Sequence, residues 1–321
     1  MPQKKKTILV TGSAGFIGFH VSRALLERGD TVIGIDNFND YYDIGLKEDR
    51  NKILEADKRY RVYHSDISNK GPLEKIFKRH KIHSICHLAA QAGVRYSLEH
   101  PGEYVKNNIE GTVNIFEEAR THNIQDVVYA SSSSVYGNSP VPWSEKQDAL
   151  EPINPYGASK RATELLAYTY HHLYKINMTG LRFFTVYGPW GRPDMAYFKF
   201  ADLIRANKAI DVYNKGNMRR DFTYVDDIVA GVLAAIDKPR AYEIYNLGNS
   251  KSEKLGTLIS LVEQGMGKKA KKRMLPMQQG DFKENFADIK KAKRDLGFAP
   301  KTPLRKGMSA FMGWYRDYYG T

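Results

Sequence analysis

The 321 residues suffice for one large α/β core with a smaller second lobe, and 42% hydrophobic with 26% charged residues is an ordinary balance for a globular protein in water. A formal charge of +13 favours anionic partners, but the basic residues are spread along the chain with one dense cluster, Lys268 to Arg273. A solvated basic face that steers a negatively charged small molecule is therefore expected, and a nucleic-acid partner is not.

The single cysteine, Cys86, leaves no partner for an internal disulfide, so a reducing, cytoplasmic setting is expected. Cys86 lies in the apolar run Ile85-Cys86-His87-Leu88 and reads as a buried strand residue rather than a nucleophile. No stretch approaches the roughly 18–20 apolar residues of a membrane span, and Lys4-Lys5-Lys6 runs into an apolar stretch too short for a signal peptide. No metal site is expected.

Residues 7–11 read as a strand, 16–28 as a helix and 31–36 as the next strand, a βαβ opening. Residues 37–58 break the rhythm and read as an inserted loop and helix. Short apolar strands follow at Arg61-Val62-Tyr63, at 84–88 and at 126–130, alternating with helical stretches. Leu181-Arg182-Phe183-Phe184 reads as a further strand, 188–193 as a loop, 197–206 as a helix and Asp226 to Ile236 as a helix with acids in its first turn. Near-continuous apolar strands imply a parallel sheet covered on both faces. The expected fold is α/β: a Rossmann-like, doubly wound parallel sheet formed mainly by residues 1–184, and a smaller mixed α/β substrate-binding lobe formed mainly by 185–321. One or two elements should return from the second part to the first.

Gly12, Gly15 and Gly18 lie between an apolar strand and an apolar helix. That context gives a glycine-rich turn a dinucleotide-binding reading: tight turn, close backbone approach to a pyrophosphate, close helix–sheet packing, and a helix N-terminus aimed at phosphate. A purely structural glycine turn is the competing reading. Asp36 lies 24 residues after Gly12, at the end of the next strand, where its carboxylate can bind a ribose diol and repel a 2′-phosphate. NAD is therefore expected over NADP. Phe16, Ile17 and Asn37 join this cofactor set; Asp66-Ile67 and Leu88-Ala89-Ala90, at later strand ends, can also flank it.

Tyr156 and Lys160 are four residues apart and share a helix face. A phenol is a poor base at neutral pH, but a nearby ammonium favours its phenolate, which can take a proton from a hydroxyl whose carbon gives hydride to NAD. Tyr-x-x-x-Lys alone is common by chance; the run Ser131-Ser132-Ser133-Ser134 upstream changes the reading. Ser132 is the favoured partner of the reacting oxygen, with Ser133 next, and Ser131 and Ser134 are left to backbone, cofactor or substrate contacts. Tyr136 and Tyr187, each followed by glycine, are read as lining residues without a catalytic role.

These motifs together resemble the extended short-chain dehydrogenase/reductase superfamily and, within it, the nucleotide-sugar epimerases, from Thr11-Gly12 to Leu296-Gly297-Phe298. Asn39-Asp40-Tyr41-Tyr42-Asp43 with Leu46-Lys47, Ser131 to Gly137, and Val186 to Ala196 resemble the UDP-glucuronate 4-epimerase group. The resemblance implies 4-epimerisation of UDP-glucuronate to UDP-galacturonate through a 4-keto sugar, with NAD regenerated each cycle, in a homodimer. It implies that Asn108 supports the active-site backbone beside the cofactor, that Ser133, Ser134 and Thr185 touch the substrate, and that Arg192 meets its charged end. Arg220 is implied as a diphosphate ligand, Tyr213 as part of the uridine wall, and Asp281 as a nucleotide contact. Gln279 stands where relatives carry other residues. Related decarboxylases and 4,6-dehydratases resemble a pattern with glutamate before Val-Tyr-Gly, and this chain has serines there. The competing readings are a UDP-glucose or UDP-N-acetylhexosamine 4-epimerase, a decarboxylase or dehydratase, and a catalytically silent NAD(H) sensor.

Overall fold

The computed structural model describes residues 5–147 and 150–320. In chain order its first half runs β1 (Thr7–Thr11), α1 (Phe16–Glu27), β2 (Thr31–Asp36), α2 (Ile44–Glu55), β3 (Tyr60–His64), α3 (Lys70–Arg79), β4 (Ser84–His87), α4 (Val94–Glu99), α5 (Pro101–Tyr104), a π-helical segment (Val105–Glu110), α6 (Gly111–Thr121), β5 (Asp126–Ser132), α7 (Pro155–Tyr174) and β6 (Asn177–Phe183). The second half runs β7 (Thr185–Tyr187), α8 (Ala196–Arg205), β8 (Ile210–Val212), β9 (Arg219–Arg220), β10 (Phe222–Tyr224), α9 (Val225–Asp237), β11 (Tyr242–Leu247), β12 (Glu253–Lys254), α10 (Leu255–Met266), β13 (Lys272–Met274), α11 (Lys290–Leu296) and α12 (Leu304–Tyr319).

Seven strands form one parallel sheet in the order β11-β6-β5-β4-β1-β2-β3. The order reverses direction between β1 and β4. The chain leaves β1 towards one edge and β4 towards the other, so a crevice opens beyond the carboxyl ends of these two strands. Ile8, Leu9, Val10, Ile85 and Cys86 are fully buried there, as strands covered on both faces require. The Cys86 thiol sits among them, pushed up to about 12 by burial, which suits an inert packing residue.

The second lobe has its own core, in which Tyr197, Phe198, Phe311 and Tyr315 are fully buried. Each of the two phenylalanines is worth about 1.5–3 kcal/mol of hydrophobic stabilisation. Its strands are short pairs, β10 on β7, β12 on β9 and β13 on β8. Three elements return to the first domain: β11 pairs with β6, α9 packs against α1, and α11 packs on β11 and α9. Asp221 ties this region together. Its carboxylate accepts from the backbone N–H groups of Asn249, Ser250 and Ala287 and from Thr223, and burial raises it to about 6.

The expected elements are present, with boundary shifts that have local causes. β6 begins at Asn177, four residues before its apolar run, because β5 and β11 pair with it from both sides and carry the ladder through Met178, Thr179 and Gly180. β8 stops at Val212, and Tyr213 opens the turn that follows. In the basic cluster, Lys269 and Lys272 pair with Glu263 and Arg273 pairs with Asp211. Among the described residues no helix is long and apolar enough to cross a membrane, and no group of His, Cys, Asp and Glu side chains is placed to hold a metal ion.

Candidate active site

A cleft of about 960 Å³ runs over the carboxyl ends of β1, β4, β5 and β6 and continues between the two lobes. That volume lies at the upper end of the ~300–1,000 Å³ usual for small-molecule sites. Its floor is the turn after β1. Gly12 has φ +70°, and a Cβ there would stand 2.9 Å from the Ala89 backbone nitrogen, so only glycine lets the turn lie this close to β4. Asp36 holds the turn from the side: one carboxylate oxygen accepts from the Ala14 N–H at 3.1 Å and the other from Phe38 N–H at 2.9 Å. Gly15, Phe16, Ile17, Gly18, Asn37, Ile67, Leu88, Ala89 and Ala90 complete this end of the cleft. The bare backbone of the turn, the N-terminus of α1 and the carboxylate of Asp36 fit a pyrophosphate and its ribose.

The reactive side chains come from two elements. Ser131 and Ser132 end β5, and Tyr156 and Lys160 open α7. Asn154 caps α7 by accepting from Gly157 N–H at 2.8 Å, and Pro155 occupies its first position. Asn154 also donates to the Gly280 carbonyl at 3.1 Å, linking the helix start to the 278–281 loop of the nucleotide end. Lys160 is buried and donates to the Ala130 carbonyl at 3.0 Å, and burial lowers its ammonium to about 8.

Burial raises the Tyr156 phenol, while the Ser132 hydroxyl and the Arg192 guanidinium pull it back down and Asp194 opposes them. The Arg192 guanidinium thus favours the phenolate from the substrate side of the cleft, and the Lys160 ammonium one turn along α7 is held on the Ala130 carbonyl. Ser131 lines the cleft, but its hydroxyl donates away from it, to Glu164 at 2.6 Å, where Arg182 and Arg161 also pair.

Ser133, Ser134, Thr185, Arg192, Tyr213, Arg220 and Asp281 all line the same cleft, as do Gln278 and Gln279. Arg220 donates to Asp281 at 2.5 Å, so the two expected nucleotide contacts form one pair. The Arg95 guanidinium of α4 lies over the Tyr213 ring, 4.4 Å from its centre.

The reading of Tyr136 and Tyr187 as lining residues is corrected by position. Asp66 stands beside the cleft, accepting from the cleft-lining Asn37 at 3.0 Å and from Ser68. Asn108 stands behind the wall in the π-helical segment, accepting from Gln91 N–H at 2.8 Å and donating to the Gln91 carbonyl and Ser159. It braces the cleft-lining backbone at Gln91. Tyr136 stacks on Trp143 and donates to Asn246 at 2.7 Å, and Tyr187 is buried against Tyr197 and Phe222, so neither is a lining residue.

Sequence reasoning missed Arg50. It is fully buried, has no acid partner among the described residues, and donates to the carbonyls of Ala14, Trp190 and Gly191 and to Tyr42. It thereby joins the glycine turn to the loop that carries Arg192. A signal was present: Leu46, Lys47, Arg50 and Leu54 share one face of α2, and a buried face with two cations is unusual.

A doubly wound sheet with a glycine cradle, and a Tyr-x-x-x-Lys helix beside a serine strand end, define a dinucleotide-dependent enzyme that works on an alcohol carbon. The chain matches the NAD dependent epimerase/dehydratase family over residues 8–248. It is 54% identical over 317 residues to the uncharacterized protein MJ1055 of Methanocaldococcus jannaschii, covering 98% of this chain and 97% of that one. It is 47% identical over 332 residues to UDP-glucuronate 4-epimerase 4 of Arabidopsis thaliana, covering 98% and 76%. The crystal structure of UDP-glucuronic acid 4-epimerase from Bacillus cereus, in complex with UDP-glucuronic acid and NAD, superposes with a TM-score of 0.91 at 35% identity, covering 98% and 100%. The chain belongs to the NAD dependent epimerase/dehydratase family.

Proposed function

We propose that the protein is an NAD-dependent 4-epimerase that interconverts UDP-glucuronate and UDP-galacturonate. The observation that carries this reading is Arg192 in the same cleft as Tyr156 and Ser132, close enough for its charge to act on the phenol. A guanidinium at that distance from the proton-transfer group suits a sugar with a carboxylate next to its reacting carbon. The relatives that carry this activity in their names support it.

NAD, held by the glycine turn, Asp36 and the residues flanking them, supplies the reversible two-electron oxidation at C4. Tyr156 takes the proton of the 4-hydroxyl, and Ser132 hydrogen-bonds the same oxygen. Arg220, oriented by Asp281, holds the diphosphate while the flat 4-keto sugar turns about its link to it. Tyr156 then returns the proton with the other face of the sugar presented. The walls exclude water from the keto sugar. The serines before Val135 offer no carboxylic acid for dehydration. Exposed Leu165, Tyr168 and Leu173 on α7 support a homodimer as part of the proposal.

Purified protein is incubated with UDP-glucuronate without added reductant, and sugar anomeric protons and carbon dioxide are followed. A UDP-galacturonate signal growing without carbon dioxide is the expected result. A pentose product would assign a decarboxylase, and turnover of UDP-glucose alone would overturn the uronate assignment.

A further inference from the structure

Two segments that the sequence sets far apart meet at Asp194. Arg192 Nε donates to Asp194 Oδ1 at 2.9 Å and Arg192 Nη2 to Oδ2 at 2.6 Å. The Tyr41 hydroxyl, 153 residues away in the inserted loop before α2, donates to the same Oδ2 at 3.4 Å. Tyr41 is itself seated, packed edge-on to Tyr96 with ring centres 5.0 Å apart. A Cβ on Gly93, which has φ +104°, would collide with its hydroxyl. The side chains of Arg192 and Asp194 are 24% and 23% exposed, and both line the cleft.

We propose that Asp194, clipped by Tyr41, is a positioning residue that fixes which edge of the Arg192 guanidinium faces the carboxylate of the substrate. The inference rests on the uronate reading of the same cleft. A guanidinium has five N–H donors arranged along two usable edges. Asp194 occupies the Nε/Nη2 edge, which leaves the Nη1/Nη2 edge for a second carboxylate in the same plane. Without Asp194 the long side chain is free to turn either edge, or neither, towards the sugar.

The pairing has two chemical consequences. Arg192 and Asp194 act on the Tyr156 phenol with opposite sign, so the free cleft does not place an uncompensated cation beside it. Burial alone would raise the Asp194 carboxyl, but the Arg192 guanidinium overrides this and holds it below the usual carboxylate range. It is therefore ionised and has no proton to give. That matters because a 4-keto uronate is a β-keto acid. Carbon dioxide leaves when the C5–C6 bond cleaves, its electron pair passes into the enolate of the C4 ketone, and C5 takes a proton. A carboxylate clamped in one orientation keeps the C5–C6 bond out of line with the ketone, and an ionised Asp194 does not supply the proton.

The test compares wild-type holoenzyme with Asp194→Asn and Tyr41→Phe on UDP-glucuronate and UDP-glucose, measuring kcat, KM, carbon dioxide and thermal midpoint. Asp194→Asn is expected to lower kcat on UDP-glucuronate about tenfold or more with KM within about threefold, since misaligned reacting groups cost rate before binding. It should also release carbon dioxide in a measurable fraction of turnovers and narrow the preference for the uronate over UDP-glucose. Tyr41→Phe keeps the ring and its packing and should move all three readouts the same way by less; it decides the matter if Asp194→Asn does not fold. Variants with wild-type kcat, KM and carbon dioxide would overturn the inference alone. Equal losses on both sugars that follow the thermal midpoint would also overturn it, in favour of a structural role. A wild-type enzyme that turns over only UDP-glucose would overturn the uronate reading and this inference together.

Discussion

Of four consecutive serines, Ser132 is the one whose hydroxyl acts on the Tyr156 phenol. Its oxygen accepts from Ser134 N–H at 3.1 Å, which leaves its own proton free to point at the phenolic oxygen. The neighbouring Ser131 proton is already given to Glu164. Strand alternation produces this division: successive residues at the end of β5 face opposite sides of the sheet.

Replacing Ser132 with alanine removes a hydrogen bond to a charged oxygen, worth about 1.5–3 kcal/mol, so kcat should fall roughly 10- to 150-fold. It also removes a group that holds the phenol down. The acidic limb of the kcat/KM profile should therefore move to higher pH, which a pH–rate series measures. Ser131→Ala should register first in the thermal midpoint, because Glu164 is left with fewer donors.

Tyr156→Phe removes the proton acceptor and keeps the ring that packs against Tyr104, with centres 6.0 Å apart. Turnover should drop at least about 10²- to 10⁴-fold with little change in melting. Retention of more than a tenth of the activity would show that another group moves the proton.

Lys160 carries a stability signature. Burial puts its folded value at about 8, against an ordinary 10.5. Between those values the unfolded chain binds a proton that the folded chain has released, so its contribution to stability rises with pH, by up to about 1.4 kcal/mol per unit. Below about 8 both states are protonated and the slope vanishes. Cofactor-free wild type should therefore gain stability relative to Lys160→Met between pH 8 and 10 and show a constant difference from pH 6 to 7.5. Chemical denaturation across that range would show either slope.

Arg220→Lys keeps the charge and loses the planar fork that Asp281 orients. Binding of the diphosphate is shared by ground state and transition state, so KM for the UDP-sugar should rise about 10- to 100-fold with kcat less affected. A fall in kcat at constant KM would instead place Arg220 in the chemical step.

Local pattern was enough for much of this protein. The short near-continuous apolar runs of the strands, the helical stretches between them, the three glycines between a strand and a helix, and the spacing of Tyr156 and Lys160 are all short-range features. They determined the α/β class and the cofactor end of the cleft, and they put Tyr156 and Lys160 on one face of one helix. The tertiary structure decided which side chain faces which. It put Asn108 behind the wall, turned Ser131 towards Glu164, buried Arg50 against three carbonyls, and brought Tyr41 to Asp194 across 153 residues. Periodicity records which face of an element is buried, whereas a polar contact depends on the partner that packing delivers from a distant part of the chain. The Arg192–Asp194 pair marks the boundary, with both residues in one short motif of the sequence and their joint effect on Tyr156 present only once α7 and the loop before α8 are packed into one cleft.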